Sequence, residues 1–261
     1  MERIPVTVDP ALFPPSIQDF LCGANLYDSS CSPEARVWFI DREDGFFLKK
    51  APKGTLEKEA AMTDFFHQKG LSAQVLAYEQ LDADWLLTRR IPGEDCIHPA
   101  HLADPKQLCD TTAEILRMIH ETDFTGCPVP NRTSDYLATV TENHAAGKWD
   151  PLLFPEGWGS GSAEDAWAIV REFSGCLKSD TLLHGDYCLP NVLLKDWKLS
   201  GLIDVGFGGV GDRHIDLFWG CWTLLYNLKT NIYFDRFLDA YGRDKVQPEI
   251  IRAIAAFEEF G

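Results

Sequence analysis

The chain has 261 residues, 45% of them hydrophobic, and a formal net charge of −16 at neutral pH. A chain of this length buries enough apolar surface to fold without disulfide or metal staples. The acidic balance argues against general binding to nucleic acid or to an anionic membrane surface, because both need clustered Lys and Arg. It suits a cationic small substrate, although an acidic surface also serves plain solubility.

Cysteine usage and the N-terminal sequence both indicate a cytoplasmic protein. The eight cysteines are scattered without a C-x-x-C pair, which is typical of free thiols rather than of a zinc site. The first residues lack the charged-then-apolar pattern of a signal peptide. The apolar runs are far too short to span a bilayer. We therefore expect a cytoplasmic location and no membrane partner.

The N-terminal third is typical of a few strands and one helix. Two apolar runs, 37–40 and 46–49, flank a polar turn and predict a hairpin. The polar loop at 28–33 can close over phosphate groups through its backbone N–H groups and a hydroxyl, or it can be an ordinary turn. A helix is predicted to begin near Thr55 and to end before Gly70.

Charged side chains in this part have the placement of a phosphate-binding ion pair. The second strand ends in Lys49 and Lys50, whose side chains point to opposite faces. Glu59 shares a helical face with Met62 and Phe66, and a carboxylate on an otherwise apolar face calls for a cationic partner. The alternative is a solvated glutamate at the edge of that face. In kinases a strand lysine holds the nucleotide phosphates and a helical glutamate holds the lysine.

A further strand at 85–88 leads into a connector at 89–93, where a proline and a glycine indicate a break between lobes. We accordingly expect an N-terminal nucleotide-binding lobe at 1–90 and a C-terminal catalytic and substrate-binding lobe at 91–261. A connector of this kind can offer backbone N–H and C=O groups to adenine, although any domain linker has the same composition.

The second lobe is predicted to be mainly helical. Asp104-Pro105 and Ser162 begin helices with capping residues, and another helix follows Pro248. Residues 128–161 are rich in Pro, Gly, Asn and Trp, which is typical of variable substrate-binding loops. For the last residues of the chain, composition alone favours a frayed, solvated tail.

The run LHGDYCLPN at 183–191 carries the strongest chemical signal in the chain. It places Asp186 after a short apolar strand and Asn191 five residues later, and Asp204 begins an Asp-x-Gly after a further strand. Phosphoryl transfer needs a carboxylate that accepts the proton of a hydroxyl, and oxygen ligands that hold Mg²⁺ on the phosphates. Kinases space these groups in the same way, whereas any one of them alone would be an ordinary turn residue. Asp216, which opens an apolar helix, is expected to hold this loop by hydrogen bonds.

Together these motifs resemble those of bacterial aminoglycoside phosphotransferases, and most closely the 3′-phosphotransferases that inactivate kanamycin and neomycin. The likeness runs from about Ser32 to the C-terminus. It includes the Cys127-Pro128 turn, the run at 211–217 and the acidic, aromatic end of the chain. It implies an α+β, bilobal protein-kinase-like fold, in which a small N-terminal lobe holds an antiparallel sheet and one key helix. The larger C-terminal lobe of that fold is mainly helical.

The resemblance also implies a role for each motif residue. Asp186 would be the catalytic base, while Asn191 and Asp204 would bind Mg²⁺. The first of the two strand lysines, Lys49, would contact the nucleotide phosphates and pair with Glu59. The other nucleotide contacts would be a loop hydroxyl, a ring stacked on adenine and the connector backbone, at Ser32, Phe47 and Arg89 to Ile91.

By the same resemblance, acids from an inserted loop and from the C-terminal helix bind the cationic rings of the substrate. The matching groups here are Glu156, Glu258 and the carboxylate of Gly261. A carboxylate-lined cleft suits a polyammonium substrate, because the opposite charges attract.

Three departures from the resemblance bear on which substrates are accepted. Phe207 stands where such enzymes often carry Arg. Tyr226 and Asn227 occupy a helix that often carries acids, and Gly261 ends the chain where an aromatic residue is usual.

The sequence therefore predicts phosphorylation of an aminoglycoside at its 3′-hydroxyl, with ATP and Mg²⁺ as cofactors, which would confer antibiotic resistance. GTP stays open as the nucleotide. We expect a monomer or weak dimer without a nucleic-acid partner. One alternative is a kinase of another small alcohol, such as a macrolide, choline or an amino sugar, on the same scaffold. The other is a nucleotide-binding module without catalysis, against which the complete motif set argues.

Overall fold

The computed structural model describes residues 3–151 and 158–261. Contacts along the chain divide it into two compact units. The first unit comprises Met1–Glu94 with Leu193–Gly206, and the second comprises Asp95–Val192 with Phe207–Gly261. The expected boundary at residue 90 lies close to Glu94, where the first segment ends. The expectation did not assign residues 193–206 to the first unit, to which they also belong.

The first unit is built on an antiparallel sheet of six strands. Their bounds are β1 (Ile4–Val6), β2 (Asn25–Asp28), β3 (Arg36–Asp41), β4 (Phe46–Pro52), β5 (Val75–Gln80) and β6 (Ala83–Arg89). The spatial order is β1-β2-β3-β4-β6-β5, and every neighbouring pair is antiparallel. Two helices accompany the sheet, α1 (Pro15–Leu21) and α2 (Glu57–Gln68). The predicted hairpin corresponds to β3 and β4, and the predicted helix to α2.

Aromatic side chains fill the core on one face of this sheet. Alternate residues of a strand point to opposite faces, and Phe46 and Leu48 of β4 are buried in this core. Trp38 and Trp85 stack with ring centroids 6.2 Å apart, and the ring of Phe13 packs edge-on against Trp38 at 5.4 Å. This packing determines which residues of β4 occupy the opposite face.

The segment of the chain that returns to the first unit begins with a hairpin. It consists of β9 (Val192–Lys195) and β10 (Lys198–Leu202), and β9 also pairs with the two-residue β7 (Glu94–Asp95). Asp196 and Trp197 connect β9 to β10 with φ angles of 51° and 60°. Positive φ at both central residues is the requirement of a type I′ turn, whose twist matches that of the paired strands.

Two backbone carbonyls attach this hairpin to the first unit. The N–H of Leu202 donates to the carbonyl of Leu71 at 2.8 Å, and the Ser72 hydroxyl donates to the carbonyl of Leu202 at 2.7 Å. These contacts span about 130 positions in the sequence, which is why the boundary expected from local composition missed them.

The second unit is mainly helical, as predicted. Its helices are α3 (Pro99–Leu102), α4 (Pro105–His120), α5 (Arg132–Ala145), α6 (Ala163–Phe173), α7 (Arg213–Leu228), α8 (Phe234–Tyr241) and α9 (Pro248–Glu258). A two-stranded antiparallel sheet, β8 (Thr181–Leu183) with β11 (Gly209–Gly211), lies among them. Across the ranges 3–151 and 158–261, every helix is too short or too polar to cross a bilayer.

Side-chain caps begin the helices where the sequence predicted them. The Asp104 carboxylate accepts a hydrogen bond from the N–H of Gln107 at the start of α4, and the Ser162 hydroxyl accepts one from the N–H of Asp165 at the start of α6. Each bond satisfies one of the N–H groups that a helix leaves unpaired in its first turn.

The C-terminal segment is buried, so the expectation of a frayed, solvated tail is wrong. Glu259 and Phe260 are 1% and 2% exposed. The indole N–H of Trp149 donates to Glu259 Oε2 at 2.9 Å, and the Asn143 amide donates to the carbonyl of Phe260 at 2.7 Å. The apolar face of α9 carries these polar groups into the unit, where partners from distant parts of the chain satisfy them.

Helix α2 depends on a carboxylate from the sheet, because its own N-cap residue makes no side-chain cap. Asp84 of β6 is fully buried. It accepts hydrogen bonds from the N–H groups of Gly54 and Leu56 at 3.0 and 2.8 Å, and from the Tyr78 hydroxyl at 3.2 Å. Asp84 thereby fixes where α2 begins relative to β6.

We predict that Asp84→Ala lowers the free energy of unfolding by about 3 kcal/mol, because the buried N–H of Leu56 and the N–H of Gly54 lose their acceptor. Urea denaturation followed by circular dichroism measures this change. The matched control is Asp82→Ala, which removes an exposed carboxylate two positions away and should change the free energy by less than about 0.5 kcal/mol. Equal effects of the two substitutions would contradict the capping role of Asp84.

Candidate active site

Lys49 lies at the centre of a charged cluster in the first unit. Its Nζ is 2.8 and 2.9 Å from the two carboxylate oxygens of Glu59 on α2, and 2.9 Å from Oδ1 of Asp204. Lys50 points to the opposite face of β4, where its Nζ lies 4.5 Å from the centre of the Trp85 ring. The expected pairing of Lys49 with Glu59 is present, and Asp204 completes the cluster.

The electrostatics of this cluster favour a permanent cation between two acids. Burial alone would lower the pKa of Lys49, but Asp204 and Glu59 together raise that pKa above its ordinary value. Burial raises the pKa of Glu59, and the Lys49 ammonium opposes that rise. The side chain of Asp204 is 51% exposed and that of Glu59 only 14%. Asp204 is therefore the carboxylate that can exchange Lys49 for another cation.

The backbone around Asp204 aims this carboxylate. Asp204 has a φ of 54°, a left-handed conformation that Asp adopts more readily than most residues. A Cβ atom at Gly206 would lie 3.2 Å from the Cβ atom of Glu59. The Asp-x-Gly sequence thus turns sharply, and its glycine allows the chain to pass close to α2.

The residues expected to contact the nucleotide base lie near the Lys49 cluster. Phe47 is two residues before Lys49 and shares its face of β4. The ring of Phe47 packs against Phe39, with centroids 5.2 Å apart. Phe39 and Arg89 line a cavity of about 410 Å³, which the residues Asp41, Glu43, Asp44, Arg90 and Pro92 complete.

The connector supplies fewer free backbone groups than its composition suggested. The N–H groups of Arg89 and Arg90 donate to the carbonyls of Gln74 and Gly45, both at 3.0 Å, so the N–H of Ile91 is the donor left for an adenine edge. The expected phosphate-capping residue Ser32 lies in the loop before β3, where its hydroxyl bonds Glu34 and lowers the pKa of that carboxyl.

A buried carboxylate holds the loop around Asp186 in the second unit. Asp216, in the first turn of α7, is fully buried. It accepts hydrogen bonds from the N–H groups of His184 and Gly185 at 2.7 and 2.8 Å, and its Oδ2 lies 3.2 Å from Nε2 of His120. These are the hydrogen bonds that the sequence led us to expect from Asp216. His184 is buried within the same loop.

Asn191 contacts Asp186 directly. Its amide Nδ2 donates to the carbonyl of Asp186 at 3.0 Å and to the carboxylate Oδ2 at 2.9 Å. Asp186 is half-buried and Asn191 is buried. Because Nδ2 faces Asp186, the amide Oδ1 of Asn191 points elsewhere and is available as a ligand.

The expected magnesium ligands, Asn191 and Asp204, belong to different units. Both offer hard oxygen donors of the kind that Mg²⁺ prefers. In the part of the chain that the structure describes, no cluster of three or more His, Cys, Asp or Glu side chains forms a protein-only metal site. Each of the two side chains offers an oxygen of the kind that Mg²⁺ takes from a protein when phosphate and water complete its shell.

The thiol inside this loop is half-buried, and its surroundings disfavour the thiolate. Burial raises the pKa of the Cys188 thiol, and the neighbouring Asp186 carboxylate acts in the same direction. A thiolate is the nucleophilic form of cysteine, so these surroundings lower the reactivity of Cys188 toward electrophiles.

Of the three groups expected to bind cationic rings, Glu258 lies near Asp186. Glu258 Oε1 accepts a hydrogen bond from the Tyr136 hydroxyl at 2.8 Å, and Trp219 donates to the same carboxylate. Gly261 is exposed and its N–H donates to the carbonyl of Glu258 at 3.1 Å. Glu156 lies outside the described residues.

Burial raises the pKa of Glu258 to about 7. The hydrogen bonds from Tyr136 and Trp219 and the nearby Arg132 oppose this rise, whereas the charge of Asp186 adds to it. These neighbours could not be predicted from the sequence, because they lie 39 to 126 residues from Glu258 along the chain. The sequence could indicate only that Tyr136, one helical turn after Arg132, lies on the same face of α5.

Comparisons with known proteins identify the family of this chain. Residues 32–254 match the sequence model of the phosphotransferase enzyme family, APH. The chain belongs to this family. It is 44% identical over 250 residues to a probable aminoglycoside 3′-phosphotransferase of Lactococcus lactis subsp. lactis (strain IL1403), with 95% of each chain covered. It is 29% identical over 218 residues to an aminoglycoside 3′-phosphotransferase of Niallia circulans, covering 82% of this chain and 83% of the relative.

Solved structures of this family share the fold. The crystal structure of aminoglycoside-3′-phosphotransferase of type VIII matches with a TM-score of 0.72 at 23% identity, covering 95% of this chain and 100% of that one. The aminoglycoside phosphotransferase APH(3′′)-Id from Streptomyces rimosus matches with a TM-score of 0.71 at 19% identity, covering 92% and 93%. The α+β, kinase-like fold and the family resemblance predicted from the sequence are confirmed.

We predict that Glu258→Gln removes a pH-dependent loss of stability. The native state keeps the Glu258 proton up to about pH 7, whereas the unfolded state releases it near 4.5. Stability from this group is therefore complete below pH 4.5 and declines as the pH rises toward 7. At pH 7.5 the variant should gain up to about 3 kcal/mol in free energy of unfolding, on the basis of about 1.4 kcal/mol per pKa unit.

Urea denaturation at pH 5 and pH 7.5 tests this dependence. The gain of Glu258→Gln over wild type should be much smaller at pH 5 than at pH 7.5. The control is Glu249→Gln, at an exposed position of the same helix, which should show no such difference. A gain that is equal at both pH values would contradict a raised pKa for Glu258.

Proposed function

We propose that this protein transfers the γ-phosphoryl group of ATP to the 3′-hydroxyl of an aminoglycoside and so confers resistance to that antibiotic. The observation that carries the proposal is the Lys49 cluster, in which one ammonium contacts both Glu59 and Asp204. Phosphoryl transfer requires this kind of fixed cation on the phosphates. The 44% identity to a probable aminoglycoside 3′-phosphotransferase supports the substrate and the position.

Asp186 is the base in this proposal. Asn191 donates to its Oδ2 at 2.9 Å, which leaves Oδ1 to accept the proton of the attacking hydroxyl. The bonds from Asp216 to the loop hold the residues before Asp186 in place, so the carboxylate is oriented before the acceptor arrives. Such positioning lowers the entropic cost of bringing the hydroxyl into line.

Lys49, Asn191 and Asp204 hold the phosphates in this proposal. Lys49 contacts the phosphates, and Glu59 keeps its ammonium in position. Asn191 and Asp204 each provide an oxygen ligand for Mg²⁺, which supplies neutralising charge on the phosphates when it is bound. Phe47 and the Ile91 peptide contact the adenine, and Ser32 caps the phosphates from the loop before β3. ADP accompanies streptomycin in a structure of the S. rimosus relative, which supports an adenine nucleotide.

The acceptor is bound by acids of the second unit. Glu258 lies within electrostatic range of Asp186, and the carboxylate of Gly261 follows it at the exposed end of the chain. An ammonium group placed between such acids is attracted by both. We retain Glu156 as a third acid on the ground of the sequence resemblance. A cytoplasmic location and a monomer or weak dimer remain part of this proposal.

Purified protein with labelled ATP and a panel of acceptors tests the proposed substrate. We expect transfer to kanamycin B and none to its 3′-deoxy analogue, because the analogue lacks the accepting oxygen. A macrolide, choline and a simple amino sugar should be phosphorylated no faster than buffer. Transfer to the 3′-deoxy analogue would exclude the 3′ position, and preferential transfer to one of the other alcohols would replace the aminoglycoside as substrate. Growth of a sensitive bacterium expressing the protein should follow the same pattern.

Asp186→Asn should lower kcat by a factor of about 1,000, since a positioned general base contributes roughly 10² to 10⁴. The dissociation constant of ATP should stay within about threefold, because Asp186 acts on the acceptor. The matched control is Asp196→Asn in the type I′ turn, where Asn tolerates the positive φ and kcat should not change. Steady-state kinetics and calorimetric titration give the two quantities. A variant at position 186 with normal kcat would rule out Asp186 as the base.

A further inference from the structure

Arg132 opens helix α5 in the second unit and reaches the segment that follows the Asp-x-Gly. Its Nε donates to the backbone carbonyl of Phe207 at 2.8 Å. Its guanidinium also lies 5.7 Å from the centre of the Tyr136 ring and 6.0 Å from that of Phe207. Two aromatic rings and one carbonyl therefore fix the direction of this cation.

The carbonyl that Arg132 holds touches the catalytic loop. A Cβ atom at Gly185 would lie 1.9 Å from the carbonyl oxygen of Phe207 and 2.3 Å from its carbonyl carbon. Only glycine allows this approach, and its φ of 86° also suits glycine. Gly185 directly precedes Asp186. The guanidinium is thus separated from the loop of the base by a single carbonyl group.

Arg132 is also within range of the charges around Asp186. The Tyr136 hydroxyl, one helical turn along α5, donates to Glu258. Arg132 lowers the pKa of Glu258, whereas Asp186 raises it. One guanidinium and two carboxylates therefore act on the same small region of the second unit.

The two terminal amino groups of Arg132 have no hydrogen-bond or ion-pair partner among residues 3–151 and 158–261. Two other arginines of the second unit form ion pairs: Arg236 pairs with Asp110, and Arg243 pairs with Asp235 and Asp239. Helix stability does not explain a cation at the first position of α5, because the helix dipole disfavours positive charge there. The terminal amino groups are therefore available to a ligand.

The charge of that ligand follows from the acceptor. A cation this close to the loop of the base repels a polyammonium substrate, so its position is favourable only if an anion occupies the space beside it. Arginine presents two parallel N–H donors that match the oxygens of a phosphoryl group. The one anion that the reaction brings to Asp186 is the phosphoryl group itself.

We propose that Arg132 is a further catalytic residue that binds the phosphoryl group during its transfer. This inference rests on the proposed function. In the step, the bond between the γ-phosphorus and the bridging oxygen of ADP breaks, and a bond to the acceptor oxygen forms. The hydroxyl proton goes to Asp186. Arg132 keeps its proton and donates hydrogen bonds from its terminal amino groups, while its Nε holds Phe207 against Gly185.

Kinetics of Arg132→Gln and Arg132→Lys test this role. Glutamine keeps an N–H donor for the Phe207 carbonyl but no charge, and kcat should fall by a factor of about 100, the usual effect of losing one donor to developing charge. The KM for ATP should stay within about threefold. Lysine keeps the charge without the paired donors and should give an intermediate kcat. The control is Arg252→Gln, at an exposed position of α9, with unchanged kcat.

Chemical rescue separates this role from a purely structural one. Free guanidinium at millimolar concentration should restore part of the kcat of Arg132→Ala, because it can occupy the vacated space beside Asp186. The melting temperature of each variant is measured in parallel. An Arg132→Gln variant with kcat within threefold of wild type would overturn the proposal. So would a loss of kcat that tracks a lower melting temperature and that guanidinium does not restore.

A titration without any acceptor distinguishes failure of this inference from failure of the proposed function. ADP with aluminium fluoride carries an anionic stand-in for the transferring phosphoryl group. Wild type should bind ADP and Mg²⁺ at least tenfold more tightly when aluminium fluoride is present, and Arg132→Gln should lose this gain. If wild type phosphorylates no acceptor, the proposed function is wrong and this titration still decides on Arg132. An equal gain in both proteins, or no gain in wild type, would overturn the inference.

Discussion

The chemistry of this protein depends on one fully buried carboxylate. Asp216 accepts the backbone N–H groups of His184 and Gly185 and contacts His120. An ionised group without water is costly to bury unless hydrogen bonds satisfy it, so the loop before Asp186 can adopt few other conformations. The same hydrogen bonds offset the cost of burying Asp216 and keep the catalytic loop ordered.

The two units use acidic residues in opposite ways, although the net charge of the chain is −16. In the first unit, Glu59 and Asp204 surround Lys49 and keep it positive. In the second, burial of Glu258 raises its pKa to about 7, and Arg132 supplies a compensating cation. Most acids of the chain lie on the surface. Glu59 and Asp204 instead bind a cation of the protein itself, and Glu258 is the acid proposed to bind a cation of the substrate.

Much of this arrangement could be predicted from the sequence where the signal is local. The spacing of Asp186, Asn191 and Asp204, the caps at Asp104 and Ser162, and the face of α2 that carries Glu59 all depend on residues a few positions apart. Contacts between distant segments could not be predicted. The bond between Arg132 and the Phe207 carbonyl spans 75 residues, and no pattern in either segment indicates the other. The burial of Glu259 and Phe260 likewise depends on Trp149 and Asn143, which lie more than 100 residues earlier.

The raised pKa of the Cys188 thiol has a practical consequence for studies of this protein. Cys22, Cys31 and Cys176 are exposed, whereas Cys96, Cys109 and Cys221 are buried. A maleimide dye or spin label added to the intact chain should react first at the three exposed positions and more slowly at the half-buried Cys127 and Cys188. Fluorescent reporters can therefore be placed on both units of a working protein without prior removal of the sulfur nearest the chemistry. For the same reason, cysteine-reactive inhibitors are poorly suited to blocking the loop around Asp186.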